Sequence, residues 1–265
     1  MLRSIRTVYY LSFPVVMGAV LSNRMAARLS DVTPVHWTTP IVLALAVFII
    51  YTVDRLLDIR RPDRPPTNRH RFHHRYAALL WRVAAGAIAL GLGLTFFLPG
   101  SVVKFGLVLG GICAAYVGAV FRLPARHPAL LLKEPLVAVL FSAGIWGSVW
   151  VQRLTVSSID VAEALMFVGI AFQNLILFDV MEGPELSGAT QTGKPLFSLA
   201  TEWGYRRCDI ILRWLTFGVV ASCLTLCFVT PDRFAQRSAL MLGLMSLTLY
   251  GIQCYPDYFL KNERY

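Results

Sequence analysis

The stretch "PIVLALAVFIIYTVDRLLDIRRPDRP", residues 40–65, decides how this chain folds. Residues 40–53 carry no charge, whereas Asp54 and Asp58 follow them four residues apart and a dense run of arginines comes next. Four residues are about one helical turn, so a helix through this stretch places both carboxylates on one face. The stretch therefore predicts an apolar helix that ends in two converging acids.

The composition around this stretch indicates a membrane protein. Of the 265 residues, 56% are hydrophobic and 15% are charged, whereas soluble domains carry about 25% charged residues. A helix needs about 20 mostly apolar residues to span a bilayer, and only helices or closed barrels satisfy the backbone inside lipid. The apolar runs are too long and too continuous for barrel strands. We therefore predict an all-α fold, a polytopic transmembrane helical bundle with a central cavity that opens to the cytoplasmic side.

About eight spans are predicted, within a single transmembrane domain that covers residues 1–265. They cover roughly residues 6–27, 37–57, 77–98, 102–121, 130–152, 160–180, 208–229 and 236–256.

The basic residues predict the orientation of these spans. With the N-terminus inside, 19 of the 25 Lys and Arg residues fall on the inner side and 6 on the outer side. Lys and Arg concentrate in cytoplasmic loops, so we expect a protein of the bacterial inner membrane with both termini in the cytoplasm. The net charge of +10 then lies mostly on the inner face, which favours anionic lipid headgroups or anionic substrates. No nucleic-acid partner is expected.

The acids and arginines at the end of the first stretch suit a polyphosphate. Carboxylates at Asp54 and Asp58 can converge on Mg²⁺, which commonly takes one or two protein carboxylates and completes its shell with water and phosphate oxygens. The guanidinium groups of Arg61 and Arg64 can then bind the same anion bidentately. The alternative interpretation is an ordinary positive-inside loop with the aspartates as helix-end charges.

A second acidic element occurs in "NLILFDVMEGPELSG", residues 174–188. Asp179 and Glu182 are three residues apart and therefore share a helix face. Gly183 and Pro184 are expected to end this helix. The following "TGKPLFSLATEWG", residues 192–204, contributes Lys194 as a point charge for a phosphate and predicts a small surface helix. A routine polar loop is the alternative.

Two further groups of residues allow a metal site, but a simpler interpretation is favoured for each. In "HRFHH", His70, His73 and His74 have spacings that can place zinc ligands together, yet a basic loop at headgroup level is the commoner outcome. Cys223 and Cys227 share a helix face, where packed small residues are more usual than a metal pair.

With these elements located, the chain resembles the UbiA superfamily of intramembrane prenyltransferases over about residues 40–230. The first signature of that family is NxxxDxxxD followed by an RPxRP-like run, which "DRLLD" at 54–58 and "RPDRP" at 61–65 resemble. Its second signature is an acidic cluster followed by a GxKTLP-like segment, which "DVMEG" and "TGKPLFSLATEWG" resemble. The stretch "FRLPARHPALLLKEPL", residues 121–136, is similar to the family's segment between the fourth and fifth spans.

The resemblance implies a Mg²⁺-dependent enzyme that moves an isoprenyl group from an isoprenyl diphosphate to a lipophilic acceptor among membrane lipids. The implied catalytic and metal-binding residues are Asp54, Asp58, Asp179 and Glu182. The implied diphosphate-binding residues are Arg61, Arg64, Lys133 and Lys194.

Two departures from the family pattern keep other functions open. Ile50 stands where the family has an asparagine, and the spacing of Asp179, Glu182 and Glu185 is irregular. A terpene cyclase of the same superfamily needs no separate acceptor. A non-catalytic protein that binds a polyprenyl lipid needs no chemistry at all.

Single cysteines introduced at positions 100 and 231 of a cysteine-free variant should react with a membrane-impermeant maleimide only from the outer side. Both positions fall in outer connections when the basic residues lie inside. A cysteine at position 262, near the C-terminus, serves as the inner control. Labelling of positions 100 and 231 from the cytoplasm would reverse the predicted topology.

Overall fold

A computed structural model of the chain describes the backbone of residues 7–8, 10–33, 35–59, 68–124, 127–189 and 199–260. Side chains are described over the same ranges except at positions 58, 68–70, 121, 182–189, 257 and 260. Within these ranges all regular secondary structure is helical and no strand occurs. The predicted all-α class is thereby confirmed.

The helices follow the apolar runs of the sequence and are numbered here in chain order. They are α1 Phe13–Leu29, α2 Thr38–Asp58, α3 Asn68–Arg75, α4 Ala77–Thr95, α5 Gly100–Arg122, α6 Lys133–Trp150, α7 Ser158–Ala189, α8 Leu199–Trp203, α9 Tyr205–Val229, α10 Arg233–Cys254 and α11 Pro256–Leu260, with a 3₁₀ helix at Pro128–Leu132.

Six helical segments are long and apolar enough to cross a membrane, as expected of an integral membrane protein. They are Thr38–Leu57, Ala77–Thr95, Gly100–Val120, Pro128–Trp150, Ser158–Met181 and Tyr205–Val229. The other two predicted spans fall on α1, which has 17 residues, and on α10, which has 22. A crossing by these two helices, and hence the count of eight, stays a prediction.

Backbone contacts divide the chain into two compact units. The first unit comprises Met1–Arg122 and Gly144–Thr155, and the second comprises Leu123–Ala143 and Val156–Tyr265. Helix α6 begins in the second unit and ends in the first. The single domain and the central cavity stay predictions.

A buried amide fastens α1 within the first unit. Asn23 is fully buried, and its Nδ2 donates to the carbonyl oxygen of Ile145 at 2.7 Å and to Oγ of Ser148 at 3.0 Å. Both acceptors lie in the C-terminal half of α6. Because an unpaired polar group is unfavourable in an apolar interior, these bonds fix how α1 packs on that half of α6.

A second buried amide ties together three helices of the second unit. Nε2 of Gln173 in α7 donates to Oγ1 of Thr216 in α9 at 2.9 Å and to the carbonyl oxygen of Ser246 in α10 at 3.1 Å. Oγ of Ser246 donates back to Oε1 of Gln173 at 2.7 Å. All three side chains are buried, so they set the register of these helices.

Close packing of α9 on α10 accounts for Cys223, one member of the Cys223–Cys227 pair. Cys223 is buried, and a Cβ added at Gly243 would lie only 3.0 Å from its Sγ atom. Small residues at an interface let two helices approach closely. Cys223 is therefore a packed small residue, as the sequence analysis favoured.

The expectation that Gly183 and Pro184 end the sixth predicted span is wrong. Helix α7 continues through both residues to Ala189 and is 32 residues long. Proline keeps a φ angle compatible with a helix and removes a single hydrogen bond. The long α7 can tolerate that loss without ending.

One of two segments assigned to the surface is also corrected. Residues 68–75, interpreted as part of a basic loop, form α3, and His73 within it is only 2% exposed. The ring of the adjacent Phe72 packs on Tyr10 and Tyr76, which draws this basic segment onto the protein. The small surface helix predicted after Lys194 is present as α8, in which Leu199 and Ala200 are buried whereas Glu202 and Trp203 are exposed.

Replacement of Gln173 by leucine should lower the free energy of unfolding by about 1–2 kcal/mol, because three interhelical hydrogen bonds are lost. The corresponding fall in melting temperature is a few degrees, measurable on the purified protein in detergent.

Asn174→Leu is the matched control, because Asn174 is partly buried on the same helix and makes no hydrogen bond to a described residue. Equal melting temperatures for the two variants would show that the Gln173 bonds do not hold the helices together.

Candidate functional site

The first predicted acidic pair lies at the C-terminal end of α2, on the more exposed face of that helix. Thr52 and Leu56 are buried at 5% and 0% exposure, whereas Ile50 is 41% exposed. Asp54 is two residues from each buried position and four from Ile50, so it shares the face of Ile50. It is partly exposed and makes no hydrogen bond or ion pair with a described residue. The core of the first unit therefore does not use this carboxylate.

Several predicted site residues lie outside the described part of the chain. Asp58 is the last residue of α2 and Glu182 lies within α7, but their side chains are not among those described. The remaining three are Arg61, Arg64 and Lys194.

Asp179, in the second unit, is tied to the start of α8. Its Oδ2 atom accepts a hydrogen bond from the backbone N–H of Ala200 at 2.9 Å. The first N–H groups of a helix have no partner within it, and a carboxylate there is also favoured by the helix dipole. Asp179 therefore anchors the chain directly after the segment that contains Lys194.

A buried apolar cluster surrounds this anchor and extends to the beginning of α6. Its buried members are Ile176, Leu177, Met181, Leu199, Ala200, Cys208 and Leu212. Leu131, in the 3₁₀ helix before α6, packs against them. The start of α6 thus lies at the same end of the second unit as Asp179.

This packing places Lys133 and an acid that the sequence analysis missed beside the Asp179 region. Lys133 is the first residue of α6 and is partly exposed. The next residue, Glu134, and Asp179 both lie close enough to Cys208 to act on it electrostatically. An acid in the first turn of a helix is common because it interacts favourably with the helix dipole. The sequence therefore gave no specific reason to predict Glu134 as a site residue.

A further acid missed from the sequence is Glu163, near the start of α7. It is fully buried, and one of its oxygens accepts a 2.6 Å hydrogen bond from Oγ of Ser238. Its Oε2 atom has no hydrogen-bond partner among the described residues. The sequence could have indicated Glu163, because it lies inside the apolar run "VAEALMF". Ionisable residues within spans are rare and usually face a protein interior.

The two acids nearest to Glu163 have structural roles. Asp160 forms a capping box with Ser157, in which each backbone N–H donates to the other side chain at 3.1 Å. Asp232 begins α10 by accepting from the N–H groups of Phe234 and Ala235. Such caps stabilise helix starts.

Among the described side chains, no group of three or more His, Cys, Asp or Glu residues is placed to hold a metal ion. The zinc hypothesis for "HRFHH" therefore has no support from His73 and His74, and the side chain of His70 lies outside the described set. Each predicted magnesium pair contains one residue, Asp58 or Glu182, whose side chain is also outside the described set. The magnesium hypothesis therefore stays a prediction.

No family model, curated protein or solved structure matches the chain. The assignment of function therefore depends on the placement of the chain's own residues.

Asp179→Ala should lower the free energy of unfolding by about 1 kcal/mol, because the first turn of α8 loses its acceptor. Asp179→Asn should leave stability nearly unchanged, since the amide oxygen can still accept from Ala200. Thermal unfolding of the two purified variants measures both values. Equal stability of Asp179→Ala and the parent would show that the hydrogen bond does not anchor α8.

Proposed function

We propose that this protein is a Mg²⁺-dependent membrane prenyltransferase that moves an isoprenyl group from an isoprenyl diphosphate to a lipophilic acceptor. One observation carries the proposal: a pair of acids about one turn apart occurs on α2 and again on α7. In each pair the first acid lies near the C-terminal end of the segment long enough to span a membrane, and the second lies just after that segment. These pairs are Asp54 with Asp58, and Asp179 with Glu182.

The donor set fits magnesium. Carboxylate oxygens are the ligands that Mg²⁺ takes from proteins, and it leaves other positions to water and phosphate. Asp54 lies on the exposed face of α2 and is not needed by the core of its unit. Asp179 accepts the hydrogen bond of Ala200 through Oδ2, and in this proposal the same carboxylate also contacts the cation. When bound, Mg²⁺ would neutralise charge on a diphosphate leaving group.

The basic residues bind the diphosphate in this proposal. Arg61 and Arg64 follow the end of α2 within six residues, and each guanidinium can give two parallel hydrogen bonds to phosphate oxygens. Lys133 and Lys194 act as point charges. Together they lower the barrier by stabilising the negative charge that develops on the leaving group.

The transfer breaks the bond between the allylic carbon and the diphosphate oxygen, and the electron pair leaves with the diphosphate. The acceptor supplies the pair for the new bond and afterwards loses a proton. Apolar helices exclude the water that would otherwise capture the allylic cation.

A second candidate function is favoured by the hydrogen bond between Asp179 and Ala200. That contact gives Asp179 a structural use, as expected in a non-catalytic protein that binds a polyprenyl lipid. Release of pyrophosphate from geranylgeranyl diphosphate, with Mg²⁺ and with EDTA, separates this candidate from both enzymatic ones. A terpene cyclase of the same superfamily would release pyrophosphate without an added acceptor.

Asp54→Asn, Asp58→Asn, Asp179→Asn and Glu182→Gln should each abolish Mg²⁺-dependent binding of geranylgeranyl diphosphate. Each change removes the negative charge that holds the cation while nearly preserving side-chain shape. Binding is measured on the purified protein by titration with the diphosphate, in Mg²⁺ and in EDTA.

Asp31→Asn is the matched control. Asp31 lies just after α1 with a φ of 50°, a conformation that asparagine also tolerates. If the four site variants bind the diphosphate as the parent does in both conditions, the acids hold no magnesium and the lipid-binding candidate becomes the better one.

A further inference from the structure

A groove of about 560 Å³ runs between α1 and α2 in the first unit. Its walls are apolar and include Val16 and Val20 from α1, and Ala44 and Phe48 from α2. The charged residue in this lining is Arg24. The groove is independent of the acids and bases in the proposed active site.

The dimensions of the groove suit one acyl chain. On α1 the lining positions Val16, Val20 and Arg24 recur every fourth residue, so they form a stripe along one helix face. Along α1 the lining runs from Phe13 to Arg24, which is eleven steps of 1.5 Å, or about 16 Å, and Val8 and Leu11 extend it before the helix. One leaflet of the hydrocarbon core is about 15 Å thick. A single acyl chain thus matches the groove in length.

Arg24 gives the groove one charged end. Its side chain is exposed and forms no ion pair with any described residue. A guanidinium on an apolar, membrane-embedded surface is unfavourable unless it reaches water or an anion. A phosphate group accepts two parallel hydrogen bonds from such a guanidinium, so charge complementarity indicates an anionic headgroup at this end.

The charged end lies far from the proposed diphosphate site. A connection of eight residues joins α1 to α2, and helices packed together across so short a connection run antiparallel. Arg24 therefore lies near Pro40, at the start of α2, and about 21 Å of helix separates Pro40 from Asp54. Trp37, just before α2, is 59% exposed and packs on Phe97, as expected of aromatics at a membrane boundary.

From these features we infer that the α1–α2 groove binds one anionic phospholipid of the leaflet opposite the proposed active site. The phosphate pairs with Arg24 and one acyl chain lies along the apolar walls. Because the groove is open rather than enclosed, the second chain stays in the bilayer. This favours a two-chain lipid over a free fatty acid.

The test uses the full-length protein in detergent, titrated with dioleoylphosphatidylglycerol or dioleoylphosphatidylcholine and followed by native mass spectrometry. The parent should bind the anionic lipid about tenfold more tightly than the zwitterionic one, as expected for one charge-assisted contact. Arg24→Gln should abolish this preference. Arg28→Gln removes the same charge one turn further along α1, outside the lining, and should change binding by less than about twofold.

A second pair of variants tests the acyl-chain part without changing charge. Ala44→Phe fills the groove and should weaken binding of both lipids, whereas Ala46→Phe, on the exposed face of α2 outside the lining, should not. Equal effects within either pair of variants would overturn the inference. Binding of oleate with retention of the Arg24 dependence, but without binding of phosphatidylglycerol, would overturn it as well.

Discussion

Pairing of backbone polar groups is the constraint on which the rest of this structure depends. Inside hydrocarbon, an unpaired N–H or C=O group is highly unfavourable, so each spanning segment must satisfy its own backbone. The long apolar helices follow directly from this requirement. The continuation of α7 through Pro184 is compatible with it, because proline lacks the N–H donor and leaves only one carbonyl without its usual partner.

The same constraint sorts the polar side chains of the helices. Gln173 and Asn23 lie deep in their units and are buried with hydrogen-bond partners on other helices. Asp54 lies at a helix end and is not needed for the packing of its unit. The packing of the unit does not use this carboxylate, and under the proposed function it serves a ligand instead.

The sequence predicted the helices well because each depends on a local pattern. The apolar run before Asp54 predicts α2, and α2 does end at Asp58. The sequence did not predict hydrogen-bond partners on other helices, because Thr216 and Ser246 lie 43 and 73 residues from Gln173. His73 was misassigned for a related reason: the adjacent Phe72 packs on Tyr10, which is distant in sequence, and no local pattern encodes such a contact.

The candidate site was predictable to a smaller extent, as Asp179 illustrates. The spacing of Asp179 and Glu182 predicts a shared face, but it gives no indication that Asp179 caps α8. The structural and ligand roles of this carboxylate need not compete. A hydrogen bond from a fixed N–H orients a carboxylate, which is how outer-shell partners position metal ligands. Because Ala200 is fully buried, its N–H is held firmly. Under the proposed function, the cap on α8 therefore prepares Asp179 to bind a cation at low entropic cost.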